Sequence, residues 1–313
     1  MALISKYGTI WGSIPVTAGR VFWVAPSASY TVEGRSYSAS DNNDGLSPER
    51  ALVTLGRALD LVSADVGDVI VLLPGTHTLS AQESIDVAGI TITGLPGGKG
   101  HPHRQRAALT TSAADETLLI GAARVELAYL HLIAVTAQAA VEINNSGDYC
   151  YIHDCSFDQF TAAASTSTTG IQSIGTSSGV TNLVVENCYF ESLDAQGPYL
   201  NLAEVATAEI RGCTFRHRGS TALADGIVSA TGAVDVVVKD CVFIAGTAGI
   251  ITECIDWTGN TTDHSLILIN TKLSIGTALN ASADADVVVA AEGVAVVQVA
   301  DGASLPVNAI NAS

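Results

Sequence analysis

Residues 184–190 read VVENCYF, and three kindred strings follow the same plan: YIHDCSF at 151–157, EIRGCTF at 209–215 and VVKDCVF at 237–243. Their cysteines stand at 155, 188, 213 and 241, so the intervals are 33, 25 and 28 residues. Those intervals are too irregular for a helical solenoid, yet the order inside each string is constant. With the cysteine as position zero, positions −5 and −3 are Cys150 and Ile152, Leu183 and Val185, Ala208 and Ile210, Val236 and Val238. Period two is the mark of a strand with one buried face. His153, Glu186, Arg211 and Lys239 fall at position −2, on the solvent side. Beyond zero the apolar parity flips, because Phe157, Phe190, Phe215 and Phe243 stand at +2. A flip of parity requires a corner. The residue before zero is Asp154, Asn187, Gly212 or Asp240, types that tolerate a positive φ, so the bend belongs there.

The template extends both ways through Ile90, Ile92, Gly94 and Leu95, through Val125, Leu127, Leu130 and Leu132, and through Leu266, Leu268, Asn270, Thr271 and Leu273. Position zero is then expected at 95, 130, 155, 188, 213, 241 and 271. A strand-rich repeat with a polar part of variable length predicts a coil stacked at roughly 4.8 Å per turn, with loops bulging from its corners. Cys155, Cys188, Cys213 and Cys241 with the four phenylalanines would form its inner ladder.

This pattern resembles the right-handed parallel β-helix of the pectate-lyase-like superfamily, over about residues 65 to 275. The resemblance implies an all-β solenoid with an asparagine-type corner and inward stacks of like residues. The organisation expected is an N-terminal arm (1–40), a loop and capping α-helix (41–64), the β-helix (65–279) and a last coil or closing strand (280–313). The arm carries Trp11, Phe22 and Trp23 with Pro15 and Pro26 and no sustained period. It either packs along the coil or docks on a partner. Ser47, Pro48 and Glu49 read as a helix start, with Ala51, Leu55, Ala58, Leu59, Leu61 and Val62 as one apolar face. Such a helix would cover the open end of the first coil.

The chain has 313 residues, 48% of them hydrophobic, and a formal charge of −17. That charge repels nucleic acid and anionic membranes, so neither is an expected partner. The start, MALISKYGTIWGS, lacks the apolar core of a signal peptide, and no run of 18 apolar residues occurs. Four of six cysteines share one inward column, which predicts free thiols acting as small hydrophobes. No CxxC or paired histidine accompanies them, so neither metal nor other cofactor is expected. Asp41, Asn42, Asn43, Asp44 and Gly45 lack the distant bidentate glutamate of a calcium loop and read as turn chemistry.

Catalysis on this scaffold would need carboxylates along one outward face. The candidates are Glu253 and Asp256, beside Trp257, and a second pair, Glu191 and Asp194. Lys99, Arg104 and Arg106, with His101 and His103, gather scarce positive charge in one loop and offer a contact to an acidic neighbour. The junction from DGLSPERALVTLGRAL at 44–59 to GDVIVLLPGTH at 67–77 resembles bacteriophage β-helix proteins. That resemblance implies a non-enzymatic virion protein on the outer capsid surface, made in the host cytoplasm. A capsid decoration or cement protein is the leading expectation, bound to the major capsid protein through Trp11, Phe22, Trp23 and the basic loop, and associated as a homotrimer. The alternatives are a tailspike or glycan depolymerase and a glycan-binding adhesin.

Overall fold

The computed structural model describes residues 19–32, 34–95, 107–112, 115–134, 139–159, 174–176, 179–192, 198–203, 205–218, 223–229, 235–245, 251–257, 264–275, 280–281, 287–292 and 295–298. Successive coils add strands in turn to three parallel sheets. The ten-stranded sheet runs from Val21–Val24 and Val69–Leu72 to Val287–Glu292. The nine-stranded sheet runs from Gly75–Leu79 to Ala295–Gln298, and the eight-stranded sheet from Glu83–Ile85 to Asn280–Ala281. The architecture is a parallel β-helix, and among the described residues it is all-β apart from one short α-helix and a 3-10 turn.

The corner between the ten- and nine-stranded sheets lies where parity flips. Tyr129, Asp154, Asn187, Gly212, Asp240 and Asn270 have φ of 53°, 51°, 51°, 63°, 52° and 48°. Each left-handed residue turns the strand within one step, and the backbone ladder continues through it: Asp154 N–H donates to Glu186 O (3.0 Å), Asn187 N–H to Arg211 O (2.9 Å) and Gly212 N–H to Lys239 O (2.9 Å). All six cysteines are free and buried. Those at position zero do more than fill space. Cys188 donates to Glu186 O (3.3 Å) and Ile152 O (3.6 Å), and Cys213 to Arg211 O (3.4 Å) and Val185 O (3.6 Å). Two positions on, Phe157, Phe190, Phe215 and Phe243 stack face to face at 4.7, 4.8 and 4.5 Å, in the offset-stacking range that stabilises aromatic pairs.

A second left-handed column, absent from the sequence reading, turns the chain into the ten-stranded sheet: Gly67, Gly89, Arg124, Tyr149 and Asn182, with φ of 75°, 69°, 58°, 58° and 54°. The residue types there share no common chemistry, which is why composition did not mark it.

Three expectations need correction. Position zero of the second coil is Ala107, in register with Leu130, rather than Leu95. The segment carrying Lys99, Arg104 and Arg106 is therefore inserted between that coil's first two strands, where later coils need one or two residues. Second, Phe22 and Trp23 do not belong to a free arm. Strand Val21–Val24 is the first rung of the ten-stranded sheet, paired with Val69–Leu72. Phe22 points into the core, 2% exposed. Trp23 points outward but is only 6% exposed, in a second apolar cluster with Val69, Val71, Tyr30 and Leu73. Tyr30 belongs to the antiparallel hairpin Ser29–Val32 and Arg35–Ser38. Residues 21 to 53 thus wrap the first coil, because two indole- and phenyl-sized rings on alternating positions need two apolar faces.

Third, the helix is shorter than expected. Pro48–Arg50 makes a single 3-10 turn, and Leu52 then bridges Val24 in parallel. Leu52 N–H donates to Trp23 O and its carbonyl accepts from Ala25 N–H, both at 2.8 Å, which satisfies the edge of the first strand. The α-helix is Leu55–Leu61, capped by Thr54, whose side chain accepts from Arg57 N–H. Leu55, Ala58 and Leu59 close the core at this end. Asp41 takes the N–H groups of Val53 and Thr54 (both 3.0 Å) and the Thr54 hydroxyl (2.9 Å), which gives the acidic run its turn role. Of the two readings left open for the C-terminal segment, the last coil is the one formed: residues 280–298 add one strand to each of the three parallel sheets.

Candidate functional site

In the eight-stranded sheet Leu118, Ile120, Val141, Ile143 and Ile174 point inward and are fully buried. The positions between them form one outward column in register: Ser84, Leu119, Glu142, Gly175, Asn201, Val228 and Asp256. Alternation within the VEI strand Val141–Ile143 turns Glu142 out. Burial, helped by the Glu116 carboxylate, pushes the Glu142 carboxyl up to about 7. Glu116 in turn accepts a hydrogen bond from Gln82 Nε2. The next outward column holds Asp86, Gly121 and Asn144. A Cβ on Gly121 would lie 2.5 Å from Asp86 Oδ1 and 3.4 Å from Asn144 Nδ2, so these two side chains close over the glycine. Two rungs beyond Glu142, the buried Asn201 Oδ1 has no hydrogen-bond partner among the described residues. The face therefore joins a carboxyl that holds a proton near neutrality, an ionisable neighbour and amide groups. Such a set can donate to, accept from and protonate a sugar oxygen.

The outer face of the ten-stranded sheet is built differently. His153 contacts Glu126 Oε1 (2.8 Å) through Nε2 and Asp154 Oδ2 (2.9 Å) through Nδ1, and stacks on Tyr151 at 4.3 Å. Burial alone would lower the His153 pKa, but the two carboxylates hold it up to about 9. Its hydrogen bond in turn holds Glu126 below the usual carboxylate range. One rung on, Glu186 accepts from Tyr151 and from Arg211 (2.8 Å), which stands a rung further and also donates to Glu209 (3.1 Å). These groups satisfy one another across rungs. On the nine-stranded sheet, His131 contacts Ser156 Oγ (2.8 Å) and Asp158 Oδ2 (3.3 Å), and Ser156 is fully buried. Inside the core, Ser192 Oγ bridges Tyr199 OH (3.0 Å) and His217 Nδ1 (2.8 Å).

The residues singled out from sequence are dispersed. Asp256 does lie on the outward column of Glu142, but four rungs away, roughly 19 Å at the usual strand spacing. Glu253 is paired in register with Asp225, and its side chain lies outside the described residues. Glu191 is held by Tyr189 OH (2.7 Å) and Arg218 (2.7 Å). Asp194, Trp11, Lys99, Arg104 and Arg106 lie outside the described residues. Phe22 and Trp23, buried against the chain's own first coil, offer no docking surface. Among the described residues no group of three or more His, Cys, Asp or Glu is arranged to hold a metal ion. Glu142 escaped a search for carboxylates close in sequence because its partner, Glu116, stands one coil earlier; the signal was a spacing of one coil length.

No family model and no curated protein matches this chain. Among solved structures it is similar to pectate lyase Pel9A, with a TM-score of 0.60 at 13% identity, covering 87% of this chain and 68% of that one. It is also similar to pectin methylesterase PemA from Erwinia chrysanthemi, with a TM-score of 0.54 at 13% identity, covering 91% and 94%. At such identities the likeness is one of fold, the right-handed parallel β-helix.

Proposed function

We propose that this chain is a β-helix protein of a bacteriophage particle whose eight-stranded sheet faces a polysaccharide, in the manner of a tailspike or depolymerase. The observation that carries the reading is Glu142, half-buried on that sheet's outer face beside Glu116 with its carboxyl up to about 7. Protonated Glu142 donates its proton to the departing glycosidic oxygen, and Glu116 beside it supports the charge that develops on the sugar or orients the attacking water. Asn144 and Asn201 hold hydroxyl groups along the coil axis. Solved proteins named for action on pectate and pectin share the fold, and the virion assignment rests on the likeness of the 44–77 junction to phage β-helix proteins.

The test incubates purified protein with host surface polysaccharide and measures new reducing ends or unsaturated uronates. Release by the wild type and its loss in Glu142→Gln supports the reading; no release from any polysaccharide offered, or release that E142Q leaves intact, sinks it.

A second reading, the capsid decoration or cement protein without turnover, is favoured by the ten-stranded sheet. Its polar groups from Glu126 to Arg211 are spent on one another, as on a rigid surface built for durability. With Phe22 and Trp23 buried, the arm's share of shell docking would fall to residues 1–18. A variant lacking those residues that still binds empty shells like the intact protein rules that docking out.

A further inference from the structure

The outward columns change chemistry at one rung. Over the ten-stranded sheet, Glu126, Tyr151, His153, Glu186, Glu209 and Arg211 give way to Val237, Lys239, Ile267 and Ile269. Over the adjoining nine-stranded sheet, Asp158 and Glu191 give way to Arg216 and Ile244, and Tyr189 and Thr214 to Val242 and Lys272. Ile244 is 38% exposed although aliphatic. The two stretches meet at the corner formed by Asp240 and Asn270. Lys239 and Lys272 there make no ion pair among the described residues, while Arg216 donates to Tyr189 OH (3.5 Å) near Glu191; the one carboxylate beside Lys239 in sequence is Asp240.

We propose that this ridge docks a second copy of the chain through that copy's acidic surface. An aliphatic strip in outward strand positions is an interface composition. Lys239 and Lys272 beside it, with Arg216 on the same ridge, select a partner rich in carboxylates, and this chain carries 31 acidic against 14 basic residues. The ridge repels its own twin, so the contact is heterologous: residues of the ridge meet a different face of the neighbour, and repetition closes a ring or extends a filament.

Sedimentation velocity of the full chain over a range of concentrations at low salt tests this. The wild type is expected to assemble, less so at high salt, while Lys239→Glu with Lys272→Glu, and separately Ile244→Asp, sediment as the 32.1 kDa monomer with an unchanged circular dichroism spectrum and melting midpoint. A wild type that stays monomeric throughout, or assembly that survives the double charge reversal, overturns the proposal. Neither result bears on the glycan reading, whose residues lie on the eight-stranded sheet.

Discussion

Thr271 and Cys241 make the same pair of hydrogen bonds one rung apart. The Thr271 hydroxyl donates to Ile269 O (3.1 Å) and Val238 O (3.3 Å), and the Cys241 thiol to Lys239 O (3.3 Å) and Ile210 O (3.5 Å). From Cys155 to Thr271 position zero holds a small side chain with a donor that reaches carbonyls facing the core, whereas Ala107 and Leu130 hold the same position without one. Cys213→Thr should change stability by less than about 1 kcal/mol, whereas Cys213→Leu overpacks the corner and costs about 1–3 kcal/mol. Urea denaturation followed by circular dichroism decides between them.

The thiols themselves should be inert. Burial pushes Cys150 and Cys254 up to about 12 and raises Cys188 as well, and the thiolate is the reactive form. Native protein treated with a thiol-specific alkylating reagent should stay unmodified by intact mass; all six cysteines react once guanidinium is added. Rapid native labelling would contradict the stacked column.

Within the phenylalanine stack, Phe215 has a ring neighbour on both sides and Tyr199 tilted at 5.7 Å. Phe215→Ala is expected to cost about 3–5 kcal/mol and Phe215→Leu under about 1.5 kcal/mol. Melting midpoints of the two variants would expose a loosely packed core if they coincided.

Stability should depend on His153 above neutrality. Its folded pKa is raised to about 9 from 6.5, so its contribution is complete below about 6.5 and fades as pH climbs through 9. Glu126, lowered by the same contact, contributes above its ordinary range and loses that contribution as acid protonates it. His153→Gln should flatten the alkaline fall, a difference readable from denaturation midpoints at pH 6 and 10.

Glu142 has the opposite sign. A carboxyl raised from 4.5 to about 7 binds its proton more tightly in the fold, so ionisation costs stability progressively from about pH 4.5 to 7. Glu142→Gln should therefore be more stable than wild type at pH 8 and nearly equal at pH 4. If the two midpoints differ equally at both pH values, Glu142 is not the half-buried acid described.

The sequence alone determined the coil and its main corner, because period-two burial and tolerance of positive φ are properties of single residues and their immediate neighbours. VVENCYF and its kin carried the strand, the bend and the inward Cys and Phe without any distant contact. Only the tertiary structure decided what stacks on what. It put Ala107 under Leu130, Trp23 against Val71, Ser192 between Tyr199 and His217, and Glu116 within reach of Glu142. The reason is that each such meeting depends on the length of the intervening coil, and coil length is set by loops that follow no periodic rule.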